Sequence, residues 1–184
     1  MSEGHAHVDP SNKKIALLIA VLALTLAFSE TLGKGAQTDA LALNIEASNL
    51  WNFFQAKTIR MTVVRTAADE VALVAGGTPN EAAQAQVKKW REAADRYDSE
   101  PSTGEGRKEL VERAKKAEAK RDHAMAAYHH YELASAAVQI AIVMASASII
   151  VAMNALVWIA GGLGIIGVVL SLIGFFAPTA VHLF

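Results

Sequence analysis

LASAAVQIAIVMASASIIVAMNALVWIAGGLGIIGVVLSLIGFFAPTAVHLF, residues Leu133 to Phe184, contains no Asp, Glu, Lys or Arg. In a soluble domain the outer face of every element must meet water. These 52 consecutive uncharged residues leave no such face. As helix the stretch would be about 78 Å long, more than twice a hydrocarbon core of about 30 Å. It therefore reads as two crossings. Met153-Asn154-Ala155 is the least unfavourable place to turn, giving crossings at 133–153 and 156–176 and a tail at 177–184.

The preceding residues have the opposite character. Between Gly33 and Glu132 lie 15 basic and 15 acidic residues, against 17 and 18 in the whole chain. With no surplus of positive charge, a nucleic-acid face is excluded, because phosphates require one. The chain has no cysteine, which removes disulfides, thiol catalysis and cysteine-ligated metal sites. A third apolar run, Ile15–Phe28, follows a short polar amino terminus at 1–14 that ends in Lys13-Lys14. Ala27-Phe28-Ser29 has small residues where a signal peptidase acts. The run nevertheless extends as helix through Ser29-Glu30-Thr31-Leu32, long enough to span. An uncleaved anchor at 15–32, closed by Gly33 and Gly35, is expected.

The charged block carries a heptad seam. From Leu43 it runs Ala47, Leu50, Phe54, Lys57, Met61, Val64, Ala68, Val71 and Ala75, apolar except at Lys57. That pattern predicts a long helix with a packing partner. Lys57 occupies a place where a charge must be paired or must snorkel. Gly76-Gly77-Thr78-Pro79 stops the helix, and Thr78-Pro79-Asn80-Glu81 caps the next one. The seam returns at Ala83, Val87, Trp90, Ala94 and Tyr97. After a loop at 99–106 it continues at Leu110, Ala114, Ala117, Arg121, Ala124, Tyr128 and Tyr131. The outgoing helix would be about 64 Å long and the two returning pieces together about 67 Å. These lengths match an antiparallel hairpin with its tip near 76–80 and a break at 99–106. A loop that reverses the chain into a compact bundle is the other arrangement.

In lipid, helices associate by close packing, so small residues mark their contact faces. Ala160, Gly164, Gly167, Ser171 and Gly174 form one stripe. Ala137, Ala141, Ala145, Ser148, Ala152 and Ala155 form another, and the two are expected to face each other. The only strong polar groups in the tail are Gln139 and Asn154, with Asn154 at the turn, and Glu30 lies near the end of the first run. Such sparse polarity argues against an ion path through one protomer. Lys13-Lys14, set against Glu30, Lys34 and Asp39, favours a cytoplasmic amino terminus and a periplasmic hairpin. The basic residues between Arg113 and Arg121 pull weakly the other way.

Few residues suggest chemistry. His5 and His7 read as part of an exposed polar tail. His123 and His130 share a helix face near Asp122, His129 and Glu132, a conceivable nitrogen and oxygen metal set. Tyr128-His129-His130-Tyr131 reads better as an interfacial belt of amphipathic rings. Trp51, Phe53 and Phe54 read as core packing. Neither a phosphate loop nor a nucleophile elbow is present, so the expectation is no catalytic residue, no metal and no cofactor.

Ser29–Thr38 (SETLGKGAQT), Glu46–Gln55 (EASNLWNFFQ) and Ala56–Arg60 (AKTIR), in the order anchor, charged block and apolar hairpin, resemble the bacterial DUF4337 family. The resemblance covers most of the chain and implies an inner-membrane protein with no assigned activity or site.

The combined expectation is an all-α membrane protein. It has three transmembrane helices, with a long extramembrane antiparallel helical hairpin, coiled-coil-like, between the first and second. In function it is read as a non-enzymatic scaffold or accessory subunit that forms a homo-oligomer or docks on a larger membrane complex. An oligomeric channel or transporter is the alternative. An interfacial lipid enzyme using His129, His130 and Glu132 is the remotest reading.

Overall fold

The computed structural model of the chain describes residues 10–74 and 81–181. Among these there are four α-helices and no strand: α1 (Pro10–Val74), α2 (Glu81–Asp98), α3 (Arg107–Val151) and α4 (Asn154–Phe176). α1, α3 and α4 are long and apolar enough to cross a membrane. His5, His7, Ala75, the expected tip at 76–80 with its cap at Thr78 and Pro79, and the end of the tail lie outside the described residues.

α1 corrects one expectation, because Gly33 and Gly35 do not break the helix. The helix, 65 residues in all, continues through both. A glycine inside a helix costs about 1 kcal/mol relative to alanine, which neighbouring tertiary contacts can offset. Gly33 has such a contact: a Cβ built there would lie 3.2 Å from that of Tyr131 on α3. Its missing side chain permits close approach, not termination.

The helices form two units. One contains α1 up to Ala40, α3 from Asp122, and α4; the other is Leu41–Arg121. In the latter the heptad seam is the covered face. Ala47 and Leu50 pack on Leu110, Ala114 and Ala117, with Trp51, Phe53 and Phe54 against them. Further along α1, the Arg107 Nε–H donates to Thr58 Oγ1 at 2.8 Å, and its Nη1 donates to Asp98 at 3.1 Å. Beyond that, Arg65 faces Asp95 at 4.0 Å and Asp69 faces Arg91 at 3.9 Å. Residue numbers rise along α1 as they fall along α3 and then α2. Both helices therefore run antiparallel to α1, and the 99–106 loop joins them without reversing the chain.

Glu109, in the first turn of α3, ties that loop down. It accepts from the Ser99 hydroxyl at 2.6 Å and from the Glu100 N–H at 3.1 Å. The Ser99 hydrogen bond, then that of Glu100, pulls its pKa below the usual value. Asp98 is also lowered, first by its hydrogen bond from Lys108. A carboxylate depressed on folding stabilises above its unfolded pKa and loses that contribution as pH falls through the folded one. Both groups are solvated, so the effect is modest. Acidification below about pH 4 is expected to loosen this loop, with faster proteolysis between Ser99 and Gly106. The Asp98→Asn variant should be looser already at neutral pH and less sensitive to acid.

In the apolar unit, Leu22 of α1, Val138, Ala141 and Ala145 of α3, and Ala160 of α4 are buried together. The small-residue stripe on α4 is covered as expected, but by two helices rather than one. A Cβ at Gly164 would lie 2.6 Å from Leu22 Cδ2 on α1. At Gly167 it would run into Val138 Cγ2 and come within 3.2 Å of the Ala134 carbonyl on α3. Ser171 and Ser29 share a hydrogen bond at 2.8 Å, which joins α4 to α1 again.

The expected partner stripe shifts accordingly. Along the apolar run of α3 the buried positions are Ala134, Ser135, Val138, Ala141, Ala145 and Ser148, whereas Ala152 and, in α4, Ala155 are exposed. Val138 enters the seam because Gly167 leaves room for it. The turn also moves: α3 ends at Val151, and Ala152 takes the left-handed conformation (φ 55°) common at helix ends. Asn154 opens α4 instead of sitting in the turn.

Candidate functional site

The chemically richest surface of the apolar unit lies where both apolar runs give way to charge. Glu30, Lys34 and Gln37 lie at i, i+4 and i+7 on α1, one face of a helix. Tyr128, Glu132, Ser135 and Gln139 repeat that spacing on α3. The two faces line an open groove of about 490 Å³, with Gly33 and Tyr131 also in its wall. The Gln139 amide donates to Glu30 Oε1 at 3.2 Å, and the Tyr128 hydroxyl donates to Glu132 Oε1 at 3.3 Å. His129 Nδ1 lies 3.6 Å from Glu132 Oε2. Among the described residues neither Glu30 nor Lys34 forms an ion pair.

His130 departs from the interfacial-belt reading. It is only 1% exposed, because its side of α3 packs against Gly174 of α4. Its Nε2–H donates to the Pro178 carbonyl at 3.1 Å, just past the end of α4. Nδ1 has no hydrogen-bond partner among the described residues. Tyr131 is buried too, whereas Tyr128 and His129 are half-exposed. Hence the four rings divide between a packing face and an outer face. A helix turns about 100° per residue, so adjacent positions cannot all share one belt. His123 is exposed, and no group of three His, Asp or Glu close enough for a metal occurs among the described residues.

In the other unit the aromatic cluster is part of the packing. The Trp51 indole N–H donates to Glu118 at 2.8 Å, and the ring meets Phe54 edge to face at 5.6 Å. Lys57, the exception in the seam, places its ammonium 5.2 Å from the Phe53 ring centre and 3.8 Å from Glu105. A cleft of about 630 Å³ between α1 and α2 is lined by Val71, Val87, Lys88, Arg91, Glu92 and Asp95. None of these groups pairs a nucleophile with a base.

Glu30, Gln139 and Glu132 stand out in the sequence singly, but not as one groove. The available signal was the shared i, i+4, i+7 spacing of polar residues at the inner ends of two apolar runs. What it lacked was the register between α1 and α3.

Comparison with known proteins adds the family alone. No curated protein and no solved structure matches the chain. The family model for DUF4337, a domain of unknown function, matches residues 11–177. That match takes in all four helices, and the chain belongs to the DUF4337 family.

Proposed function

We propose that this protein is a non-enzymatic scaffold of the bacterial cytoplasmic membrane. Three crossings, in α1, α3 and α4, hold it there, and residues 33–132 lie outside the bilayer as a helical hairpin. It self-associates through the uncovered face of α1, and a larger membrane complex could assemble on the same face. The observation that carries this reading is two pairs of large apolar residues on the face of α1 opposite the seam, with the exposed polar residues Ser48, Asn52 and Gln55 between them. Leu41, Ile45, Ile59 and Val63 are 58%, 61%, 64% and 60% exposed. Exposed large apolar residues paired one helical turn apart outside lipid mark points of association. The channel alternative depends on Gln139 lining a shared path, and that amide already donates to Glu30.

The natural chain has no cysteine, which makes cross-linking direct. Mild oxidation of membranes carrying Ile59→Cys is expected to give a disulfide-linked dimer, and Glu112→Cys on α3 is expected to stay monomeric. If Ile59→Cys gives no adduct and the detergent-solubilised protein runs as a monomer, the scaffold reading fails. Lys13-Lys14 before the first crossing supports a periplasmic hairpin. An impermeant maleimide should therefore label Ser102→Cys in cells with a permeable outer membrane. Labelling only after the inner membrane is broken would reverse the orientation.

A further inference from the structure

We infer that the groove between α1 and α3 is a binding site for a phosphoethanolamine headgroup. This rests on the membrane reading above, which puts the ends of the two apolar runs at the headgroup level. The groove is open, has a volume of about 490 Å³, and is bounded by groups of both charges. Glu30 and Glu132 supply two carboxylates from facing helices, and Lys34 supplies an ammonium one turn beyond Glu30.

Three features favour a zwitterion over a simple ion. First, Glu30 is an exposed carboxylate at the end of an apolar run, the depth at which a headgroup ammonium would lie. Among the described residues its one side-chain hydrogen bond comes from a neutral amide, Gln139 at 3.2 Å. Second, Lys34 lies on the same face at i+4 yet forms no ion pair among the described residues, so its charge remains available to a phosphate. Third, the carboxylate of Glu132, met by the Tyr128 hydroxyl at 3.3 Å and by His129 Nδ1 at 3.6 Å, stays 57% exposed and adds negative charge to the groove wall. A primary ammonium can donate to Glu30 while the adjoining phosphate meets Lys34, one turn away on the same face. The trimethylammonium of choline has no N–H to donate, and glycerol carries no cation, so both headgroups fit less well. Gly33 brings α1 and α3 close, which keeps the two charged rows facing one groove.

The test uses the full-length protein, delipidated in detergent and offered phosphatidylethanolamine, phosphatidylcholine or phosphatidylglycerol with identical acyl chains. Retained lipid is counted by native mass spectrometry. Phosphatidylethanolamine is expected to bind about tenfold more tightly than either competitor, the worth of one charge-assisted hydrogen bond. Glu30→Gln combined with Glu132→Gln should erase the preference, whereas Glu112→Gln, outside the groove, should preserve it. A second arm offers soluble glycerophosphoethanolamine. Competition by it at millimolar concentration assigns recognition to the headgroup itself, and failure to compete restricts the site to the intact lipid. Equal retention of all three lipids, or a preference that survives the double variant, overturns the inference. Flotation with vesicles separates the two levels of reading. A protein that floats but shows no preference contradicts the groove alone. One that floats with no vesicle of any composition contradicts the membrane reading and the groove with it.

Discussion

Replacement of Gly167 by leucine is expected to unseat α4 and to be among the most damaging single changes in the apolar unit. The position is buried, and even one added carbon would run into Val138 Cγ2 and approach the Ala134 carbonyl at 3.2 Å. Val138 is β-branched and fully covered, so it has no rotamer into which to retreat. The Ala134 carbonyl is backbone and moves only with the helix. Overpacking of this kind costs roughly 1–3 kcal/mol, and a whole leucine side chain lies at or above the upper end. In detergent the melting temperature should fall by about 5–10 °C for a chain of this size. The control is Gly162, which has open space around it. Gly162→Leu should melt within about 1 °C of the natural protein, since substitutions at open surface positions cost little. Gly164→Ala should lie between the two, because its obstacle is a terminal methyl of Leu22 that can turn aside. Equal melting of Gly167→Leu and Gly162→Leu would show that α4 does not pack where these contacts put it.

The second large effect is expected at Lys57. It is 7% exposed at a seam position otherwise apolar, and its charge is met by the Phe53 and Tyr97 rings and by Glu105 at 3.8 Å. Inverting the charge puts a buried carboxylate against two electron-rich ring faces and beside another carboxylate. Lys57→Glu should destabilise the 41–121 unit by about 3 kcal/mol or more, as an uncompensated buried charge does. Lys57→Met keeps the volume and completes the apolar seam. It should be neutral or slightly stabilising, because a partly desolvated ion pair seldom outweighs well-packed methylenes. Melting followed by the helical circular-dichroism signal reads both. If Lys57→Met proved as damaging as Lys57→Glu, the ammonium would have to be essential and the seam would not be the stabilising element.

The helices were legible because their signals are periodic and long. The seam from Leu43 to Val71 and its return from Leu110 to Tyr131 are the covered faces of α1 and α3, since a heptad repeat specifies which side is buried. Lys57 was recognisable as an exception for the same reason. Its partners Glu105 and Tyr97 were not, because they come from elements whose register a single sequence does not reveal.

Other features fell below what local pattern can resolve. Gly33 and Gly35 look like a stop, yet α1 passes through them, since tertiary contact outweighs a propensity difference of about 1 kcal/mol. The stripe Gly164–Gly167–Ser171–Gly174 was evident, but its two partners were not. Small residues announce close approach without naming the helix that approaches. His130 illustrates the same limit: its burial depends on Gly174 and Pro178, more than forty positions away, and no local rule anticipates it.

Membrane residence is the proposition beneath all of these readings, and alkaline carbonate extraction of membranes from expressing cells tests it most directly. The full-length protein is expected to stay in the pellet and to be released only by detergent, because α1, α3 and α4 each hold a span-length apolar run. Recovery of the protein in the carbonate supernatant, folded and free of lipid, would contradict it.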